Sequence, residues 1–384
     1  MWTNLDCEDR DQTRVYLERA KTLPINVSLR VDSLPPCHPF FEVIPCAVGR
    51  LKSLSIEGEL RCLEDITDHL SHPAPVLEEL SICHYDYGSH YIPALTPALF
   101  NGDFPSLRKL KLEFVRTESP RRNMVNLTSI MLAHVSWGED SIKQLLDLFE
   151  SAPHLRNLNL LAISTSGAQS GRLVSLPCLE RMEITGGSSA SPLLDSLLIP
   201  VGADLKIEVD LPDPPIKDHP PRFLDNLRNF SNFTDIHICI NTFSAEMQFG
   251  GPNGQVRMSL TSSRFDDTGF VLESLDQFDT SKVERLRIDS CDFPSGDLPY
   301  RVLLPMRSLR TLTLYYCGSP HVFIRALHPT ISSSGTMVCP ELEELDIMLY
   351  GETFDMTSVI GVAAVRASRG TKLKSATSGT LQIC

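Results

Sequence analysis

The chain has 384 residues, 42% of them hydrophobic, and carries 35 Lys and Arg against 48 Asp and Glu, a net charge of −13. That balance weighs against nucleic-acid binding, whose affinity rests on cations neutralising phosphates. No run approaches the roughly 20 apolar residues that cross a bilayer, and the first thirty residues contain no apolar signal core, so a cytoplasmic or nuclear protein is expected.

In chain order, the first strand expected is Ile25-Val27-Leu29-Val31, and from there one phrase recurs, L-x-x-L-x-L with conservative exchanges. It appears as Leu51/Leu54/Ile56, Leu77/Leu80/Ile82, Leu107/Leu110/Leu112, Leu127/Ile130/Leu132, Leu155/Leu158/Leu160 and Leu179/Met182/Ile184. It returns as Val283/Leu286/Ile288, Leu309/Leu312/Leu314 and Leu342/Leu345/Ile347. The last two apolar positions alternate with period two and share one side of a short strand, and the first tucks the incoming turn against the same core. One such unit cannot bury its own apolar face, so neighbours must stack.

The phrases begin 26 residues apart (51 to 77), then 30, 20, 28 and 24, with 26 (283 to 309) and 33 (309 to 342) near the end. The gap from 179 to 283 equals four steps of 26 and holds three degenerate strands, Leu205-Ile207-Val209, Phe233/Ile236/Ile238 and Val256-Met258-Leu260. Leu373 continues the series at the back. The expected fold is α/β, a leucine-rich-repeat solenoid with a curved parallel sheet and convex helices and loops, running unbroken through about thirteen to fourteen repeats over residues 25–384.

Helices are expected between strands. Over Glu139 to Glu150, Ile142, Leu145, Leu146 and Phe149 form one apolar stripe. Ser191-Pro192 before Leu193-Leu194 reads as an N-cap with proline at the first helical position, leading into Leu197-Leu198. Phe223 to Phe230, Gly269 to Phe278, Val322 to Leu327 and Met356 to Ala367 follow the same pattern. Pro73, Pro75, Pro105, Pro153, Pro177 and Pro340 stand just before phrases, where a helix must stop and the chain extend.

Eleven cysteines occur without a C-x-x-C pair, which fits reduced thiols. Cys291 and Cys317 each fall three residues after the last apolar residue of a phrase, a position suited to a small buried group. His69, His72, His84 and His90 lack partners at metal-ligand spacing and read as loop histidines. Gly250-Gly251-Pro252-Asn253-Gly254 lacks the Lys and Ser/Thr of a phosphate loop and reads as a turn. No catalytic constellation emerges, and neither cofactor nor metal is expected.

The opening residues Met1-Trp2-Thr3-Asn4-Leu5-Asp6, Thr13 to Lys21 and Leu23-Pro24-Ile25-Asn26-Val27-Ser28-Leu29 resemble the stretch just after the F-box in fungal F-box proteins with leucine-rich repeats. There a Leu/Met-Trp pair ends the F-box, and a helix of the form Y-L-x-R-S/A-K leads through Leu-Pro into the first strand. The resemblance implies a lead-in helix and linker over 1–24 and recruitment of a protein substrate to an SCF ubiquitin ligase. The F-box itself, which in that family docks on the Skp adaptor, is missing from these residues, so the Skp adaptor is an expected partner only if an F-box lies upstream of Met1. The alternative is a ligase-independent repeat scaffold or regulator that binds one protein partner.

In such an array the side chains between and beside the buried leucines face away from the core, onto the concave side. The candidate protein-binding residues are therefore Lys109, Lys111 and Glu113; Asn157 and Asn159; Arg181 and Glu183; Arg285, Arg287 and Asp289; Thr311, Thr313 and Tyr315; and Glu344 and Asp346. Their mixed charge, with an aromatic at Tyr315, suits a folded protein or a peptide.

Overall fold

A computed structural model describes residues 3–6, 10–31, 47–59, 63, 65–66, 69–85, 100, 103–117, 124–137, 141–163, 171–186, 193–210, 233–241, 244–252, 254–261, 268–275, 278–290, 297–328, 337–350, 356–371 and 373–381. The chain divides into two compact units, Met1–Pro200 and Val201–Cys384. Each is α/β, with a mostly parallel sheet and few helices.

In the first unit the phrases become strands β3 (Leu51–Gly58), β4 (Glu79–His84), β5 (Lys109–Glu113), β6 (Ser129–Ala133), β7 (Asn157–Leu161) and β9 (Arg181–Thr185), with a two-residue strand β8 (Val174–Ser175) before the last. Ahead of them stand β1 (Asn4–Asp6), α1 (Arg10–Ala20) and β2 (Ile25–Val31). The sheet order is β1-β2-β3-β4-β5-β6-β7-β9, parallel throughout. The phrase is in register at every step. Leu54, Leu80, Leu110, Ile130, Leu158 and Met182 form one row, and Ile56, Ile82, Leu112, Leu132, Leu160 and Ile184 the next. All twelve are buried, so two apolar rows close the core beneath the sheet.

The leading residue of each phrase has its own backbone task. The amides of Leu77, Leu107, Leu127, Leu155 and Leu179 donate to the carbonyls of Ala74, Phe104, Met124, Ala152 and Leu176, closing one tight turn before each strand. Pro75, Pro105, Pro153 and Pro177 occupy that turn, where a fixed φ helps and no amide is required. Strands β5, β6, β7 and β9 also leave through a left-handed residue: Phe114, His134, Ala162 and Gly186 have φ of 52°, 51°, 48° and 75°. Their geometry lets the amides of Phe114, His134 and Ala162 donate to the next strand's Ala133, Leu161 and Thr185 carbonyls. Only Gly186 is free of the left-handed penalty. A Cβ there would meet Ala162 Cβ at 3.8 Å, ordinary contact, so Gly186→Ala is expected to cost about 1 kcal/mol through backbone strain alone. Chemical denaturation of the variant measures this.

The segment over 1–24 is more than a lead-in helix and linker. Its Asn4–Asp6 pairs in parallel with Ile25–Val31, so α1 is the crossover of a β-α-β unit and the sheet starts at β1. The side-chain Nδ2 of Asn26 donates to Asn4 Oδ1 at 2.8 Å across that pair. Helix α2 (Ser141–Glu150) buries Ile142, Leu145, Leu146, Leu148 and Phe149, the predicted stripe plus Leu148. Strand β10 (Leu197–Leu198) pairs with β8 in a separate parallel ribbon.

In the second unit the array does not run unbroken. Strands β11 (Asp204–Asp210), β12 (Asp235–Ile240) and β14 (Gly254–Thr261) match the degenerate phrases, but β13 (Ser244–Gly251) is an extra strand between them. The order is β11-β14-β13-β12, with β13 antiparallel to both neighbours. Beyond β12 the sheet is parallel again through β15 (Arg285–Asp289), β16 (Thr311–Tyr315), β17 (Glu344–Tyr350) and β18 (Ser375–Leu381). Two short turns cause the reversal. Asn241 accepts from the Ser244 amide at 2.8 Å and donates to its hydroxyl at 2.8 Å, an Asn-capped bend. The glycine-rich stretch forms the second turn, where Gly254 has φ of 151° and a Cβ would lie 3.3 Å from the carbonyls of Val201 and Ala203. Four steps of 26 residues therefore conceal a hairpin pair.

Helices α3 (Thr268–Ser274), α4 (Leu298–Leu303), α5 (Pro320–Ala326) and α6 (Thr357–Ser368) connect the later strands, and α4 lies where the sequence pattern predicts no helix. Ser191-Pro192, Phe223 to Phe230 and Cys291 lie outside the described residues. Cys317 is buried, and its thiol lies 3.5 Å from the carbonyl of Ile288. Val115, Val135 and Ile163 fill the same post-strand position in the first unit, so the site selects for modest apolar volume. The described cysteines Cys83, Cys178, Cys239, Cys317 and Cys339 are free thiols. No helix of the described residues is long and apolar enough to cross a membrane.

Candidate recognition face

Alternation places every candidate residue on the side of the strand opposite the buried rows, at about 7 Å spacing along a strand and about 4.8 Å between strands. They form two sets, one in each unit. In the first, Lys109 pairs with Glu79 on β4 at 2.7 Å and Lys111 with Glu113 on its own strand at 3.2 Å. Asn157 stands in register with Arg181, and Asn159 with Glu183, to which it donates at 3.4 Å. Met131, Ala133 and Leu161 interrupt the polar rows, so charge is not uniform across this face.

The second set is more tightly knit. Arg287 donates through Nε and Nη2 to both oxygens of Asp289, at 2.9 and 2.8 Å, and its guanidinium lies 4.5 Å from the Tyr315 ring centroid. His237 Nε2 lies 2.9 Å from the same Asp289 carboxylate across the β12–β15 pair. Arg285 is bonded to Asp235, which also accepts from Thr234 at 2.7 Å. Thr311 donates to Glu344 at 3.1 Å, and Thr377 of β18 donates to Asp346. Thr313 stands in register between Arg287 and Asp346.

Ionisation follows these contacts. For Asp235 burial pushes the carboxyl upward, but the hydrogen bonds from Arg285 and Thr234 outweigh it and hold it below the ordinary value. A depressed folded-state pKa stabilises the fold above the unfolded value of about 3.9 and loses that contribution as pH falls through the folded value. Asp235→Asn is therefore expected to flatten the acid limb of stability below about pH 4, read by thermal melts from pH 2 to 6. Arg287 is held above its ordinary value chiefly by its bond to Asp289. Cys83 is pushed up to about 12, first by burial and then by the Glu113 carboxylate, and Cys239 is raised by burial and by Asp289. Both are therefore protonated thiols near neutrality rather than nucleophiles.

Glu79, Asp235, His237 and Glu246 belong to this face and were not among the candidates. Glu79 lies in the residue-before-leucine position and was legible there. The others sit on β12 and β13, where the phrase is degenerate or absent, and only strand pairing brings His237 to Asp289, 52 residues away. Among the described residues no group of three or more His, Cys, Asp or Glu is placed to hold a metal. His69 is engaged locally, its Nδ1 2.8 Å from the Asp65 carbonyl, and His90 lies outside the described residues. No family model matches the chain, and no curated protein matches it.

Each unit thus carries charged and polar side chains on its sheet at spacings set by its own backbone hydrogen bonds, with amides at Asn157 and Asn159 in the first and an aromatic ring at Tyr315 in the second.

Proposed function

We propose that the chain is a non-enzymatic leucine-rich-repeat recognition protein, acting in the cytoplasm or nucleus, whose polar sheet face binds another polypeptide. The observation that carries this reading is the register of the parallel strands. Buried apolar rows hold the backbone, and most intervening positions offer a polar side chain to a partner. We further propose that it is the substrate-binding part of an F-box-type adaptor for an SCF ubiquitin ligase. Support for that part comes from the resemblance of the first thirty residues to the post-F-box stretch, including Thr13 to Lys21, which lies within α1 and the turn after it.

The test is affinity purification of the gene product with all coding sequence upstream of Met1 included. Co-purification of the Skp adaptor is expected. A product that retains one stoichiometric protein partner and never the adaptor would move the function to a ligase-independent regulator.

A further inference from the structure

We infer that strands β6 and β7 of the first unit seat an aromatic side chain from an extended, uncharged segment of a partner polypeptide, its ring stacked on His134. This rests on the reading of the sheet face as a recognition surface and names the anchor that the face takes.

Charge singles out the place. On the outward side of the first unit's sheet, β2 carries Arg30, β3 Glu57, β4 Glu79, β5 Lys111 and β9 Glu183. From β2 to β9 only β6 and β7 carry none: their outward residues are Ser129, Met131 and Ala133, then Asn157, Asn159 and Leu161. A strip two strands wide is therefore uncharged, with charged strands on both sides, and an interface core has that anatomy. Met131 and Leu161 are only half-buried, so the strip offers apolar surface. The amides of Asn157 and Asn159 can donate and accept, as peptide groups of an extended segment require. The chain's net charge of −13 and the lack of a cation on these two strands favour a neutral polypeptide over a nucleic acid.

A ring stack supplies the anchor. The residues just past β5, β6, β7 and β9 form one row, Phe114, His134, Ala162 and Gly186, all left-handed. The Phe114 and His134 rings lie parallel within 9°, with centroids 4.2 Å apart. There the row turns small: Ala162 brings a methyl group, and the three atoms nearest a Cβ built on Gly186 all belong to Ala162, at 3.7 to 3.8 Å. Strand spacing of about 4.8 Å stacks the first two rings and repeats at Ala162, so the step past His134 has the spacing for a third ring, which the partner supplies. Tyr315 in the second unit is no equivalent. Strand β16 is uncharged on this face as well, but Arg287 already lies 4.5 Å from the centroid of that ring.

The test uses the full chain with isotope-labelled methionine methyl groups, observed by NMR. It is titrated with blocked Gly/Ser peptides of equal length carrying a central Trp, Leu or Glu, and with adenosine. The Trp peptide at millimolar concentration is expected to move the Met131 methyl resonance saturably while Met348 stays in place, and the Leu and Glu peptides to bind more weakly. His134→Ala is expected to weaken the Trp peptide about fivefold. Ala162→Phe continues the stack with the chain's own ring, at a backbone conformation that Phe114 already adopts, and is expected to abolish the Met131 shift. Glu180→Gln, on the exposed turn side of β9, is expected to change nothing. Absence of a saturable Met131 shift overturns the proposal, as does an affinity that His134→Ala leaves unchanged. A Trp-dependent shift at Met348 instead of Met131 overturns this site and leaves the recognition reading in place. An equal response to adenosine overturns the assignment to a polypeptide side chain. Superimposable circular dichroism and melting curves confirm that each variant is folded, and His134→Ala decides the matter should Ala162→Phe melt early.

Discussion

Arg366→Ala is expected to destabilise the second unit by about 3–5 kcal/mol, the largest single effect of a polar residue among the described residues. Arg366 lies on α6 with none of its surface exposed, and its guanidinium donates to three successive carbonyls: Val338 at 3.0 Å, Cys339 at 2.6 Å and Pro340 at 3.3 Å. Those carbonyls form the turn that launches β17. Cys339 is left-handed there, with φ of 46°, and its carbonyl also receives the Leu342 amide. Burial lowers the guanidinium below its ordinary value, yet arginine remains charged at any working pH. Truncation would therefore orphan buried acceptors and leave a cavity together. Arg366→Lys is expected to recover less than half of the loss, because a compact ammonium cannot span three carbonyls from one point. Urea unfolding measures both variants. A shift for Arg366→Ala below about 0.5 kcal/mol would show that the turn holds without its guanidinium.

Leu312→Ala comes next, with an expected cost of about 2–5 kcal/mol. Leu312 is the middle leucine of its phrase, fully buried, and in register with Leu286 on one side and Leu345 on the other. The parallel backbone ladder prevents neighbouring strands from closing on the void, which places the cost toward the upper part of that range. Hydrogen exchange is expected to accelerate first at β15, β16 and β17, where the ladder shares those side chains. An exchange pattern raised evenly over both units would contradict this local account.

Much of the fold was legible because its signal is local. Leu107, Leu110 and Leu112 lie within six residues, and period-two alternation alone predicts which of their neighbours face outward. The stripe in Ser141–Glu150 is equally local. By contrast β13 was missed although Ala245, Met247 and Phe249 alternate plainly, because a fixed 26-residue step assigns no strand to that interval. The three-residue strand Asn4–Asp6 likewise has too little pattern to stand out in the sequence before it pairs. Arg366 gave no signal at all: an arginine in the last turn of a helix reads as solvated, and only packing turns it inward against residues 338–340.

The face divides in the same way. Sequence by itself determined which positions point outward, since alternation is a property of a single strand. Which of those positions meet was decided only by tertiary structure, through the order β11-β14-β13-β12-β15 and its registers. That order brings His237 and Arg287 onto Asp289. The physical reason is that side-chain direction is set by local backbone geometry, whereas charge compensation acts across strands between residues tens of positions apart, and no periodicity along one chain can encode it.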